Sequence, residues 1–417
     1  MVEEFTLKPD PKRIEADIET MATFVDRSKP GWTRRPFTPW YDQGRNWLRQ
    51  QMLSCGMDVE IDAASNLIGR ITGSEPHLPP IMVGSHTDTV TGGGRFDGIV
   101  GVLAGLEIAR RLKETGTVLR HSLEVVDFTA EEPSEFGIST IGSRGMVNNL
   151  TEEMLDRQDM TGLTLREAIK RAGGDPERIE ERARKKGDVA LYLELHIEQG
   201  PVLERTNNKL GVVTGIVGIH RYRVDVEGEE NHAGTTPMEL RSDALTGASR
   251  LVFELEALCR EPFAEPVVGT VGKLHVEPNA ANVIPGRVVF ELEVRSLDTG
   301  LLEQIMLRFH KRAAEIGESR KLNIRIDRLS KSEAIRVDEK VRSVIAEACE
   351  ATGKTVFLPS GAGHDANQLA KIAPIGMIFV PSRDGRSHCP EEWTDYADIA
   401  LGVEALARAV VSFDQRM

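Results

Sequence analysis

The apolar run Ile81-Met82-Val83 breaks into Gly84-Ser85-His86-Thr87-Asp88-Thr89-Val90, and the polar stretch closes with Gly93-Gly94-Arg95-Phe96-Asp97-Gly98. The run predicts a buried strand, and Ile99-Val100-Gly101-Val102-Leu103-Ala104 predicts the start of an apolar helix. His86 then stands where a strand runs out, and Asp97 at the head of a helix. Open α/β sheets place their chemistry at strand ends. A histidine and a carboxylate on that rim are suitable metal ligands. Asp88 lies on the same side of an extended backbone as His86, which lets it take the second N–H of a metal-binding imidazole. The same residues also fit a polar loop in which Asp97 is a helix N-cap. The segment alone does not separate the two.

A chain of 417 residues exceeds one compact core, because cores stop growing at about 250–300 residues. Two domains are therefore expected. Lys and Arg number 52 against 65 Asp and Glu, a net charge of −13. Such a chain has no electrostatic reason to seek nucleic acid or an anionic membrane. No apolar run approaches the roughly 18–20 residues that span a bilayer. The acidic start Met1-Val2-Glu3-Glu4-Phe5 lacks the apolar segment of a secretory signal. Cys55, Cys259, Cys349 and Cys389 show no paired spacing and fit buried thiols in a reducing compartment. A cytoplasmic protein is the expectation.

Further along, the first pattern repeats. Helices are predicted over Lys12–Val25 and Trp40–Cys55, a strand pair over Asp58–Asp62 and Asn66–Ile71, and a helix over Gly98–Lys113. A strand over His121–Thr129 ends in Ala130-Glu131-Glu132. Adjacent glutamates on extended backbone face different ways, so one can bind a metal while the other stays free as a base. Alone, the pair equally fits a solvated acidic turn. Ser139–Val147 reads as a tight connection, Thr151–Gly173 as two short helices, and Asp175–Asp188 as an exposed helical face. The strand Leu191–Leu195 ends at His196-Ile197-Glu198-Gln199.

The texture changes near Val213. Strands over Arg221–Glu227, Val267–Val276, Val288–Arg295 and Leu322–Arg328 alternate with helices over Asp243–Cys259 and Leu301–Ile316. That βαββαβ order is a ferredoxin-like unit, set inside the larger α/β pattern. The larger pattern resumes with a helix over Glu339–Thr352 and the segment Ser360–Ala366, which opens another helix. The strand Ile375–Val380 leads to His388, and a closing helix spans Ala397–Phe413. No internal repeat is present. The expected architecture is α/β: a mixed-sheet metallohydrolase catalytic domain over 1–212 and 330–417, with an inserted ferredoxin-like α+β lid and dimerisation domain over 213–329.

Seven motifs in this order, from GSHTDTV with GGRFDG through FTAEEPSEFG, ELHIEQGPVLE, NHAGTTPM, PNAANVIPG and GAGHDA to VPSRDGRSHCPEEW, resemble one known group. The sequence is similar to the M20 peptidase superfamily, and within it to the amidase, hydantoinase/carbamoylase family. The resemblance runs from about Gly44 to Phe413, and the first forty residues match poorly. It implies a binuclear amidohydrolase of the N-carbamoyl-L-amino acid hydrolase or allantoate amidohydrolase type. His86, Asp97, Glu132, His196 and His388 would hold two divalent metals with Asp97 bridging, and Asp88 would support His86. Glu131 would be the general base. His232 would stabilise the oxyanion, Arg295 would meet the substrate carboxylate, and Gln199, Asn282, Gly361 and His364 would line the substrate site.

Two metals polarise a carbonyl and acidify a water, and Glu131 would shuttle the proton. Zinc is expected, with manganese, cobalt or nickel compatible with the same ligands. The resemblance also implies a homodimer through the inserted domain, in which His232 and Asn282 would serve either their own site or the partner's. His121, His220 and His275 lie on predicted strands outside the motifs and read as structural. Cys389 reads as a small packed residue. The rival activities are an M20 dipeptidase or N-acyl-amino acid deacylase, and a non-catalytic metal-binding homologue. HIEQGPVLE and a histidine at position 196 argue against the first, and a complete set of ligands and base against the second. Gly92-Gly93-Gly94 lacks the dinucleotide-binding spacing.

Overall fold

A computed structural model of the protein describes residues 5–416. The chain divides into two compact units: Met1–Thr214 with Val337–Leu358 and Gly363–Met417, and Gly215–Arg336 with Pro359–Ala362. No helix among the described residues is long and apolar enough to cross a membrane.

The first unit is built on a mixed sheet. Across it the strands run in the order Asp58–Ile61, Leu67–Ile71, Leu123–Phe128, Ile81–His86, Leu191–Ile197, Ile375–Val380 and Leu210–Ile216. The four central strands are parallel to one another, and the pairs flanking them are antiparallel. Those four are buried along their whole length. Parallel strands need this, because crossover helices cover both faces. Ile99–Thr115 is such a crossover, and with the closing helix Tyr396–Arg416 it shares one apolar core with the strands. Because Ile81–His86, Leu123–Phe128 and Leu191–Ile197 run the same way, their C-terminal ends deliver His86, the Glu131-Glu132 pair and His196 to one rim.

Residues 5–40 belong to this unit. Helix Pro11–Met21 is capped by Asp10, whose carboxylate accepts from two backbone N–H groups. Residues 32–34 then run beside 89–93: Trp32 N–H donates to Gly93 O at 3.0 Å, and Thr89 N–H to Arg34 O at 3.0 Å.

The second unit is a four-stranded antiparallel sheet in the order Asn323–Ser332, Gly218–Glu227, Arg287–Ser296 and Val267–Glu277. The alternation read from the sequence is realised: Tyr222, Val224 and Val226 are buried, as are Val288, Phe290, Leu292 and Val294. They pack with helices Ala244–Cys259 and Thr299–Arg320, whose N-termini are capped by Asp243 and Asp298.

Several local expectations change. Ser139–Val147 contains a short helix, Ile141–Met146, because its small residues let the backbone coil against Asn66 and Ala64. A strand, Thr355–Ser360, was hidden by its proline and by polar ends. The helix expected from Ser360–Ala366 is one turn, Ala366–Leu369. Helical structure in 175–188 stops at Arg182. His121 lies before its strand, bonded to Asp414 at 3.0 Å.

Candidate metal centre

Five side chains from five separate segments of the first unit meet on the sheet rim. Among the described residues, the ligand atoms of His86, Asp97 and His196 lie within 4.8 Å of one another, and so do those of Asp97, Glu132 and His388. The two sets share Asp97. Its Oδ1 is 3.2 Å from His196 Nε2, and its Oδ2 is 3.0 Å from His388 Nε2. Glu132 Oε1 is 3.1 Å from the same His388 nitrogen. Glu131 joins neither set; its Oε2 stands 3.7 Å from His86 Nε2.

Backbone contacts orient these rings. His86 Nδ1 lies 3.0 Å from Asp88 O, and His196 Nδ1 lies 2.9 Å from Ile197 O. A carbonyl only accepts, so Nδ1 carries a hydrogen, and Nε2 of each ring is turned toward Asp97. Asp97 Oδ1 is buried and accepts no hydrogen bond. Imidazole nitrogens and carboxylate oxygens converging this closely, around a buried oxygen left without a hydrogen bond, fit a metal. Asp97 is not a helix cap: the N-cap is Gly98, which makes no side-chain bond. Gly98 has φ +69°, and a Cβ there would come within 2.4 Å of His86 Nε2. Glycine is required for both reasons.

Asp88 works differently from the expectation. Its main-chain carbonyl holds the His86 ring, while its carboxylate stands 3.6 Å from that nitrogen. The carboxylate instead accepts the backbone N–H groups of Glu131 and Glu132, each at 3.1 Å. One buried aspartate therefore fixes both the His86 ring and the adjacent glutamates.

Electrostatics follow from burial and convergence. Burial works against charge on His86, but Asp88, Glu131 and Asp97 outweigh it and hold the ring well above its ordinary value. Asp97 and Glu132 push His388 up to about 11. Burial acts to raise Asp97, yet His196 and His388 hold it well below the carboxylate range. Burial raises Glu131 well above that range, against the pull of His86.

Gln199 donates from Nε2 to Asp97 Oδ2 at 3.0 Å and to Ser387 Oγ at 3.2 Å. His364 stacks edge-on against His196, with centroids 4.6 Å apart, and burial holds it well below the usual imidazole value. Glu194 also approaches His196 and His364. Its oxygens already accept from Ser85 Oγ at 2.7 Å and Tyr192 OH at 2.9 Å.

The remaining expected residues, His232, Asn282, Arg295 and Gly361, belong to the second unit. His232 is paired with Val283, and Ala233 N–H donates to Asn282 O at 3.0 Å. His232 Nδ1 accepts from Gly234 N–H at 3.0 Å and Thr235 N–H at 3.2 Å. The ring hydrogen is thereby forced onto Nε2, leaving an exposed fixed donor. Arg295 gives Nε and Nη2 to Glu293 Oε1 at 2.8 and 2.5 Å, and Nη1 to Gly361 O at 2.6 Å.

Several supporting residues went unnoticed in the sequence. Arg34 is wholly buried and donates to Thr87 O at 2.7 Å and Met21 O at 2.8 Å. Arg35 reaches Thr89 O at 2.9 Å and Glu135 at 2.8 Å. Both lie in a proline-rich stretch with no periodicity. Glu392 and Asp365 sat inside recognised motifs. Asp365 is buried and accepts from Ser143 Oγ at 2.5 Å, and Glu392 spans two loops of the centre.

The sequence pattern of Peptidase family M20/M25/M40 matches residues 82–412. An N-carbamoyl-L-amino acid amidohydrolase of Geobacillus stearothermophilus is 43% identical over 381 residues, covering 91% of this chain and 93% of that enzyme. An allantoate amidohydrolase of Bacillus subtilis is 36% identical over 395 residues, with 93% and 94% covered. The crystal structure of an amidase of the hydantoinase/carbamoylase family from Burkholderia multivorans superposes with a TM-score of 0.92 at 35% identity, over 98% of each chain. With a family pattern spanning most of its length and relatives matching it nearly end to end, the chain belongs to peptidase family M20/M25/M40, in its hydantoinase/carbamoylase group.

Proposed function

We propose that this chain hydrolyses the C–N bond of an N-carbamoyl (ureido) amino acid or an allantoate-like compound at a centre of two divalent cations. One observation carries the reading: two ligand triads share Asp97 and leave Glu131 outside both. His86, Asp97 and His196 would hold one cation, and Asp97, Glu132 and His388 the other. Imidazole nitrogens with carboxylate oxygens suit zinc first, and manganese, cobalt or nickel as well. When bound, the pair supplies Lewis acidity toward the carbonyl and lowers the pKa of the attacking water.

The chain's own groups do the rest. Glu131, burial-raised and clamped through its N–H by Asp88, takes the proton from water and returns it to the leaving nitrogen. His232, with its hydrogen fixed on Nε2, donates to the developing oxyanion. Arg295 offers a planar fork to the substrate carboxylate, in exchange for its present bond to Glu293. Gln199 and His364 would contact the substrate from the first unit, and Asn282 and Gly361 are the second unit's candidates for the same role. The relatives named for carbamoyl amino acids and allantoate favour this reading over a dipeptidase or a deacylase.

The second unit has the strand order of a ferredoxin-like domain, and we read it as a lid and dimerisation element. Among the described residues its outer strand Val267–Glu277 has no partner on one edge, with Val268 exposed, a feature that favours pairing with a second copy. Sedimentation at working concentration tests the dimer. The chain is read as cytoplasmic, without nucleic-acid or membrane partners.

The deciding experiment is Glu131→Gln, assayed by ammonia release from a panel of carbamoyl and ureido carboxylates. Loss of a general base costs roughly 10²–10⁴-fold in turnover, and metal content should stay at the wild-type level. Near-full activity in this variant refutes the assignment.

A further inference from the structure

We propose that Glu392 is a positioning residue that ties the loop of Asp97 to the loop of His388 and so sets the half of the metal centre formed by Asp97, Glu132 and His388. The inference rests on the two-cation reading above. Glu392 Oε1 accepts the backbone N–H groups of Phe96 at 3.0 Å and Asp97 at 3.2 Å. Its Oε2 accepts from Ser387 Oγ at 2.9 Å. Ser387 Oγ in turn accepts from Gln199 Nε2 at 3.2 Å, and Gln199 Nε2 also donates to Asp97 Oδ2 at 3.0 Å. A closed ring results: Asp97 backbone, Glu392, Ser387, Gln199, Asp97 carboxylate. Asp97 is held at both ends by residues about 100 and 300 positions away.

The two halves of the centre differ in what supports them. His86 and His196 lie on central strands, each with Nδ1 against a backbone carbonyl. His388 lies on a loop eight residues past the nearest strand, at φ +57°, with 48% of its side chain exposed. No strand fixes its position. Glu392, only 2% exposed, grips the residue before it. The fit is close: a Cβ on Gly94 would stand 2.1 Å from Glu392 Oε1, so the chain keeps the space open with a glycine. Spanning the two loops is a matter of side-chain reach. Aspartate keeps the charge but is one methylene short. Glutamine keeps the reach: its amide oxygen can accept both backbone N–H groups, and its amide N–H can donate to Ser387 Oγ.

The test is metal titration of the stripped full-length protein with zinc, read by calorimetry and by metal content after dialysis, with thermal melting as the folding control. The wild type should take two ions per chain. Glu392→Asp should keep the first and bind the second roughly 10–100-fold more weakly, the usual cost of losing an outer partner of a metal ligand. Glu392→Gln should take both. Ser387→Ala, which cuts only the link to the His388 loop, should weaken the second ion in the same direction, and it keeps the measurement available if Glu392→Asp fails to fold. Equal affinities for both ions in Glu392→Asp and Ser387→Ala, equal weakening of both ions, or loss of the second ion in Glu392→Gln would each overturn the proposal. A wild type that takes fewer than two ions overturns the two-cation reading itself.

Discussion

Replacing Asp88 by asparagine separates two accounts of this residue. If its carboxylate served the His86 imidazole, the variant would weaken the His86 half of the centre. The structure places the effect elsewhere. Asp88 is fully buried, and its two carboxylate oxygens each accept one backbone N–H, from Glu131 and Glu132. The amide of asparagine can accept one of these and must turn its own N–H₂ toward the other. The carbonyl that faces His86 belongs to the backbone and survives. A hydrogen bond to a charged group contributes about 1.5–3 kcal/mol, and an unsatisfied buried donor costs about 1–3 kcal/mol. Asp88→Asn should therefore lower the unfolding free energy by roughly 2–4 kcal/mol. A shift of about 1 Å at the Glu131 carboxylate is enough for roughly a hundredfold fall in kcat. The assays are denaturant unfolding, ammonia release and metal content. Stability and kcat should fall, while the ion held by His86, Asp97 and His196 is retained. Wild-type kcat with unchanged stability, or selective loss of the ion at His86, refutes the reasoning.

Gly98→Ala adds strain at φ +69° and drives a methyl toward His86 Nε2; metal content should drop by one ion, with most activity lost, and a fully loaded variant would contradict this. Arg34→Lys removes a buried fork that satisfies Thr87 O and Met21 O, and a single ammonium cannot bridge both; unfolding in urea should show a loss of about 2–4 kcal/mol. In the second unit, the Arg287 guanidinium holds Asp225 below the usual carboxylate range. A carboxylate with a depressed native value stabilises the fold above its unfolded value and loses that contribution as pH falls through the native one. Acid unfolding should therefore be shallower below about pH 4 in Arg287→Met, as followed by circular dichroism, and an unchanged slope would remove the pair from the account.

The sequence alone reached most of the elements, because their patterns are local. The central strands are short apolar runs bounded by glycine and polar residues. The strands of the second unit alternate with period two, and Asp243 marks a helix start. The ligand types were legible for the same reason, since His86, the Glu131-Glu132 pair and His196 follow apolar runs directly. Thr355–Ser360 was not legible: it is partly exposed and carries a proline, so periodicity gave no signal. Arg34 gave none either, as an arginine in a proline-rich loop reads as solvated until the carbonyls it satisfies are known.

What the sequence determined by itself was which residues stand at the ends of which strands, because alternation and apolar runs are properties of neighbours along the chain. Tertiary structure decided which of those ends meet. Parallel pairing brings His86 and His196 to one rim, and the return of the chain more than 250 residues after Asp97 adds His388. There the ligand atoms of Asp97, which the resemblance already made the bridge, lie in two candidate sets, Asp88 turns its carboxylate to the glutamates, and Glu392 closes the ring. These are contacts between segments far apart in sequence, and no local pattern encodes a distance between them.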